Sequence, residues 1–376
     1  MSRTRIPRLA AIAWAVAAAV LVGLAVAVWT HLRGSPSGGM AGMAGMHSAD
    51  ALTRAGGDPF GPLLGSHLVT SWQLDSISLA VLVLAAAGYL TGVALVPIRS
   101  GTRWPVVRTT SFLAGLAVCG FATNGSIAVY DQVLFTAHMA GHLALVMVAP
   151  VLLVAGHPLA LALAAAEPQR RERLGRIATG RVVSLLTAPP VALAAYTVVI
   201  VGSHLTGLMD EIMRNTWAGQ LEHLVYVLVG CQFFVLVVGH EPIRWRLATP
   251  ARWLLLAVAM AVDTFTGIVL LQGTQAVTML PDPQVSVDPL SDTRTGGAIM
   301  WFAGDAIMIV VMVALVFGWL RRVDTERADK KGWLEQARVA TFTERTAAAS
   351  DVDTYDDDDA ARDSYNEWLA GLDKRG

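Results

Sequence analysis

Charged side chains are scarce in this sequence. Asp, Glu, Lys and Arg together make up 15% of its 376 residues, whereas soluble domains carry about a quarter. Hydrophobic residues make up 54%, and they recur in uncharged runs near the roughly 20 residues that a transmembrane helix needs. A soluble globular fold is therefore excluded, and we expect an all-α, polytopic membrane protein.

Cysteine is almost absent as well. Its two occurrences, Cys119 and Cys231, lie inside apolar runs, which excludes a disulfide framework and favours small buried core residues. The sequence also lacks a P-loop, a dinucleotide fingerprint, a nucleophile elbow and a C-x-x-C pair. These short motifs often carry catalysis or redox chemistry, and no enzymatic activity is predicted here.

The apolar runs predict a transmembrane helix bundle of about eight spans. Tryptophans cluster near the ends of the runs, as in the aromatic belts of the membrane interface. The predicted spans are 9–31, 76–97, 105–125, 133–155, 188–209, 219–239, 251–272 and 297–320.

Arginine is distributed unevenly between the loops, and this sets the predicted orientation. If every span crosses once, the Arg-rich loops after the second, fourth and sixth spans fall on the same side as both termini. Positively charged loops face the cytoplasm, so both termini are predicted to be cytoplasmic. Because topology explains these basic loops, we expect no nucleic acid partner.

This topology divides the chain into four parts. Residues 1–31 are predicted to be an uncleaved membrane anchor, which the lack of a clear cleavage site favours over a signal peptide. Residues 32–74 then form an extracytoplasmic loop, and residues 75–325 form a seven-helix transmembrane domain. Residues 326–376 form a charged cytoplasmic tail, whose composition cannot bury a core.

Polar residues with ligating side chains interrupt these spans at similar depths. In FTAHMAGHLALVMVAP, His138 and His142 are four residues apart, so their rings share one helix face. Other spans place further polar groups at matching depths, counted at about 1.5 Å per residue from the outer surface. They are His204 and His223 at the level of His138, and Asp263 and Asp305 at the level of His142.

These residues predict a metal or redox site. Ionisable groups inside a membrane are costly, so they face the bundle interior and pair with something. Imidazole is a common ligand of copper, zinc and iron. The alternative is a buried network in which the groups satisfy one another. The candidate ligands are His138, His142, His204, His223 and Asp263, with Asp305 as a support that binds no metal itself.

Methionines add a preference for a soft metal. The loop between the first two spans reads GGMAGMAGMHSAD, in which Met40, Met43 and Met46 precede His47. Glycine and alanine make such a segment flexible, and thioethers select Cu(I), so we predict transient copper capture there. The alternative is a linker that happens to contain methionine. Met139 is a further candidate thioether ligand beside the histidines.

Several segments together resemble the caa3-type cytochrome c oxidase assembly factor (CtaG) family. The fourth span, LFTAHMAGHLALVMVAPVLLVAGHPLALAL, is similar to that family's His-Met-x-Gln-His helix with its Ala-Pro and Gly-x-Pro, although Gly141 replaces the Gln. HLVYVLVGCQFFVLVVGHEP resembles the family's sixth span, and DPLSDTRTGGAIMWFAGD resembles the beginning of its last span. The resemblance covers residues 75 to 325.

The resemblance implies a role in maturing a haem-copper oxidase through delivery of copper, in the plasma membrane of a bacterium. The implied partners are oxidase subunits in the membrane, copper ions and the lipid bilayer. One departure concerns the seventh span, where the family commonly has His-Ala-Phe-Phe-Gly. DTFTG places Asp263 at the His position, and Asp is a harder ligand. A copper transporter or resistance protein and a b-haem redox protein remain open as alternatives.

Overall fold

The computed structural model describes residues 72–131, 133–206, 208–209, 212, 216–238, 241–277 and 287–346, with three single positions beyond them. The predicted first span at 9–31 lies outside these residues, as do Met40, Met43, Met46 and His47. The described part is helical and contains no strand, which confirms the all-α prediction.

The helices of the described residues follow one another closely along the chain. The short helices α7 and α8 connect the fourth span to the fifth, and α12 is the longest helix. The bounds are α1 Ser76–Ser100, α2 Val106–Asn124, α3 Ser126–Tyr130, α4 Phe135–Leu143, α5 Ala149–Ala155, α6 Pro158–Ala165, α7 Pro168–Ala178, α8 Arg181–Leu186, α9 Pro189–Leu205, α10 Thr216–Val238, α11 Thr249–Gln272 and α12 Pro289–Thr346.

Six of the described helical stretches are long and apolar enough to cross a membrane. They correspond to the predicted second, third, fourth, sixth, seventh and eighth spans. Their bounds are Ser76–Ser100, Val106–Tyr130, Phe135–Ala165, Trp217–Val238, Thr249–Gln272 and Pro289–Arg321.

The predicted fifth span, 188–209, is shorter than expected. It is the apolar helix Pro189–Leu205, which begins at two consecutive prolines and ends where Thr206 becomes extended. Proline lacks the N–H that a preceding turn would need, so it sets the start of a helix. The total of eight spans and the cytoplasmic position of both termini stay predictions.

The fourth span is not a regular α-helix. After Leu143 its backbone widens into a π-helical turn at Ala144–Val148, and the α-helix resumes at Ala149. Pro150 accounts for the position of this turn, because proline has no N–H to donate and its ring crowds the turn before it. Such π-helical turns are frequent at functional sites, and this one begins two residues after His142.

Helix α10 packs against the fourth span at this widened turn. A Cβ atom on Gly230 would lie 2.3 Å from the carbonyl oxygen of Val146 and 2.5 Å from Cγ of Pro150. Only glycine allows so close an approach of two backbones, and small residues commonly mark helix contacts in membranes. The contact holds α10 and its residues Glu222, His223 and Tyr226 against the helix that carries His138.

The last helix anchors the first turn of α4. Asp292 accepts the N–H of Phe135 at 2.6 Å, the N–H of Thr136 at 3.2 Å and the hydroxyl of Thr136 at 2.5 Å. The first N–H groups of a helix have no partner within it, and a carboxylate placed there satisfies them and complements the helix dipole. The turn that carries His138 is thereby fixed to α12.

The chain divides into two compact units, Met1–Met312 and Val313–Gly376. All the features described below belong to the first unit. In the second unit the chain is helical as far as Thr346, so the beginning of the predicted charged tail at 326–376 is part of a helix.

Candidate metal centre

Three histidine side chains meet inside the bundle. His138 and His142 lie on α4, and His204 lies in the last turn of α9. The ring centroids of His142 and His204 are 4.6 Å apart, and those of His138 and His204 are 6.0 Å apart. None of the three is more than 5% exposed. We call these three rings the histidine trio.

Asp131 fixes the ring of His138. Its Oδ1 lies 2.9 Å from Nδ1 of His138, and its Oδ2 lies 3.7 Å from Nε2 of His223. Burial alone would raise the pKa of the Asp131 carboxyl, but the two imidazoles outweigh burial and hold that pKa below its usual range. An ionised carboxylate can only accept, so Nδ1 of His138 carries the hydrogen and a neutral ring keeps its lone pair on Nε2.

The ring of His204 is also held by a hydrogen bond at Nδ1, in this case to the backbone. Its Nδ1 lies 2.8 Å from the carbonyl oxygen of Ile200 and 2.8 Å from Oγ of Ser203. The Ser203 hydroxyl itself donates to the carbonyl oxygen of Val199 at 2.7 Å. Because a carbonyl oxygen can only accept, Nδ1 of His204 carries the hydrogen, and Nε2 of the neutral ring again holds the lone pair.

His142 lies between His204 and an aromatic ring of α10. The edge-to-face contact between His142 and Tyr226 has a centroid separation of 4.4 Å. The Tyr226 hydroxyl does not reach the imidazole but donates to Oε1 of Glu222. Packing therefore holds the His142 ring in place without using either of its nitrogen atoms.

The trio concentrates buried nitrogen atoms that lack hydrogen-bond partners. They are Nε2 of His138, both ring nitrogens of His142 and Nε2 of His204. Glu222 Oε1 comes no closer to His138 Nε2 than 4.0 Å, which is beyond hydrogen-bonding distance. Leaving one buried polar atom unpaired costs about 1–3 kcal/mol, so four such atoms around one spot require an explanation such as a bound ion or water.

The three rings are not arranged to coordinate one metal ion in the positions that they occupy. Among the residues that the structure describes, no three His, Cys, Asp or Glu side chains are arranged to hold a metal ion together. The imidazoles of His138 and His142 also come from one helix and are held by different neighbours. Ligation by all three rings would therefore require side-chain rotation, most easily at His142, whose nitrogens make no hydrogen bond.

His223 lies outside the trio, on the other side of Asp131. Its contact with the Asp131 carboxylate is 3.7 Å long, and its side chain is 25% exposed, whereas that of His138 is 1% exposed. It lines a groove on the side of the bundle. Asp131 thus stands between a buried imidazole and an accessible one.

Asp263, Asp305 and Met139, which were also predicted as site residues, contact groups outside the trio. Oδ2 of Asp263 accepts the Tyr196 hydroxyl at 2.8 Å, while Oδ1 is buried without a partner. Tyr196, the partner of Asp263, lies eight residues before His204 on α9, or about 12 Å along the helix. Asp305 accepts the Thr264 hydroxyl at 3.0 Å, and Met139 packs where α12 passes closely at Gly296.

Comparison with known proteins gives the family. The model of the cytochrome c oxidase caa3 assembly factor family (Caa3_CtaG) matches residues 87–322. The chain belongs to this family. Uncharacterized proteins of Mycobacterium leprae and Mycobacterium bovis are 32% and 31% identical to it over 318 residues. The aligned part covers 81% and 82% of this chain but 45% of each relative, so the chain spans about half the length of the curated relatives it matches. No solved structure matches it significantly.

Three residues that surround the trio in this member of the caa3 assembly factor family were not predicted from the sequence. Asp131 lies in the short connection before the fourth span, and Glu222 directly precedes His223. Tyr226 follows Glu222 by four residues, which places both on one face of α10. The available signal was an acidic residue seven positions before His138 and another directly before His223, because a ligating imidazole usually donates its second N–H to a carboxylate or carbonyl.

Proposed function

We propose that the chain assists the assembly of a haem-copper oxidase in the bacterial plasma membrane by holding copper at the histidine trio and passing it on. Copper is here the cargo of the protein. The observation that carries the proposal is the set of partnerless nitrogen atoms on three buried rings. The family supports the oxidase as client, and the chemistry of the donors supports the cargo.

The donors of the trio suit copper. A neutral imidazole nitrogen binds copper, zinc and iron, and the hydrogen bonds at Nδ1 of His138 and His204 put the lone pair of each ring, in its neutral form, on Nε2. The carboxylate of Asp131 behind His138 repeats a common arrangement in which a carboxylate orients a ligating imidazole and makes it more basic. His142 supplies a third nitrogen.

His223 is suited to copper exchange. It is partly exposed, and it shares the Asp131 carboxylate with His138. An ion leaving the buried trio would meet this imidazole before it reached the surface of the bundle, where an oxidase subunit docks. The segment with Met40, Met43, Met46 and His47 remains the proposed place of first capture. Asp263 and Met139 are not needed for the trio.

A b-haem site is disfavoured by the packing around the rings. A haem needs room for its whole macrocycle between two axial rings, yet His142 and His204 are in edge-to-face contact, with centroids 4.6 Å apart. Opening that space would disturb the packing of His142 against Tyr226. A single metal ion needs no room for a macrocycle.

Oxidase activity in membranes tests the proposal. In a host that lacks its own copy of the gene, we expect the double variant His138→Ala with His142→Ala to give little oxidase activity, and excess copper in the medium to restore most of it. His157→Asn is the matched control, because it removes an imidazole elsewhere and Asn tolerates the positive φ of 53° found there. Full oxidase activity in a double variant of normal abundance would contradict the proposal.

A further inference from the structure

An apolar groove runs along the side of the bundle between α1, α2 and α10. Its volume is about 920 Å³. Val81 on α1, Leu116 and Cys119 on α2, and Val227 and Cys231 on α10 are among its wall residues. We call this feature the lateral groove.

The lateral groove has the length of a membrane span. Its wall on α10 extends from Trp217 to Val235, which is about 27 Å at 1.5 Å per residue. The hydrocarbon core of a bilayer is about 30 Å thick. A lipid molecule occupies only one leaflet, so a groove of this length fits a helix that crosses the whole membrane better than it fits a lipid.

Other described residues do not cover the rims of the groove. Val81 is 55% exposed, Leu224 is 50% exposed and Leu228 is 57% exposed. Polar side chains mark its two ends. Gln220 and Asp75 are hydrogen-bonded at one end, and Glu241 accepts backbone N–H groups of α6 at the other. The apolar middle and polar ends repeat the profile of the bilayer itself.

We propose that the apolar segment 9–31 of this chain is the helix that docks in the lateral groove. The segment contains no Asp, Glu, Lys or Arg and is rich in alanine, and small residues allow transmembrane helices to approach each other closely. The segment lies outside the described residues. This docking does not depend on the proposed function.

The position at which the described chain begins supports this occupant. Residue Gln73 is pinned to α2 and α3 by bonds to the carbonyl oxygens of Asn124 and Ala128, and Asp75 lines the groove. Residues 32–71 therefore link the segment directly to one mouth of the groove. Such a tether gives the segment a high effective concentration there, which a second copy or another protein does not have.

Docking would also place the methionine segment. With residue 31 and Trp72 both at the same mouth, Met40 to His47 would be confined above His223, which lines the groove near that end. A donor-rich loop would thus be held next to the accessible imidazole of the bundle.

A cysteine scan against the native Cys231 tests the docking. Cys231 lies 15 residues after the start of α10, or about 22 Å along the helix. If the segment 9–31 runs antiparallel to α10, residue 31 lies level with the start of α10. Residues 15–19 then lie at about the depth of Cys231. Cysteines are placed singly at Ala15, Val16, Ala17, Ala18 and Ala19 in a Cys119→Ser background. The cysteines are cross-linked in native membranes by oxidation or with a short bifunctional maleimide. The chain is then cut at a protease site inserted between residues 48 and 66. A cross-link keeps the N-terminal fragment joined to the rest of the chain.

We expect fragments to stay joined at one or two positions on one helical face, and to separate when Cys231→Ser is added. Separation at all five positions, in variants that keep the wild-type elution profile in detergent, would overturn the docking. Joining to a second copy or to a different protein, seen as a heavier product, would overturn it in favour of that occupant. Neither readout involves copper or the oxidase.

Discussion

At the scale of single residues, the hydrogen bond at Nδ1 decides which nitrogen of an imidazole is left to bind a metal ion. Nδ1 of His138 faces a carboxylate, and Nδ1 of His204 faces a backbone carbonyl. In both rings Nε2 is therefore the nitrogen that has no hydrogen-bond partner. The sequence predicted His138, His142 and His204 within a larger candidate set that also contained His223 and Asp263. That set was based on depth in the membrane and, for His138 and His142, on a shared helix face. The sequence did not predict Asp131, Glu222 or Tyr226, because their contacts with the histidine rings form only when α10 and the connection before the fourth span pack around α4.

Asp131 is a positioning residue of the trio, and its replacement tests that role. Asp131→Asn removes the charge that fixes the His138 ring, so we expect copper affinity to fall by roughly 10–100-fold. Asp131→Glu should recover part of the loss. Asp305→Asn is the control, because the Asp305 carboxylate accepts the Thr264 hydroxyl rather than an imidazole of the trio. Competition with a Cu(I) chelator measures all three variants, and equal affinity of Asp131→Asn and Asp305→Asn would refute the role.

At the scale of helices, the decisive contact is that between α10 and the fourth span. The sequence predicted both spans, because long uncharged apolar runs leave little choice. It did not predict the π-helical turn at Ala144–Val148 or its contact with Gly230, since a proline and a glycine in different spans become related only after packing. Depth counting also grouped Asp263 with His142 but did not predict its hydrogen bond to Tyr196; a role of Asp263 as a ligand stays a prediction.

Gly230→Ala tests this contact. The added methyl would meet the carbonyl oxygen of Val146 at 2.3 Å, and such overpacking costs about 1–3 kcal/mol. Gly219→Ala on the same helix is the matched control, because a Cβ there meets nothing within 4 Å. We expect thermal unfolding in detergent at a clearly lower temperature for Gly230→Ala, and near the wild-type temperature for Gly219→Ala. If both variants unfold together, the close approach at Gly230 is wrong.

At the scale of the whole molecule, composition predicted a helical membrane protein, and the described residues confirm that class. The resemblance in motif spacing predicted the family, which the match over residues 87–322 confirms. In the bundle, the buried trio contacts the Asp131 carboxylate through His138, and that carboxylate contacts His223, which lines the groove. That order suits a protein that holds an ion briefly and releases it to a partner.

The most direct test is the copper content and coordination of the purified protein. In a variant with Met40, Met43 and Met46 changed to Leu, loaded with Cu(I), we predict about one tightly bound ion per chain, with X-ray absorption showing imidazole nitrogen neighbours. Adding His138→Ala, His142→Ala and His204→Ala should abolish that binding. Unchanged copper content after removal of the three histidines, or an absorption spectrum without imidazole neighbours, would contradict the account.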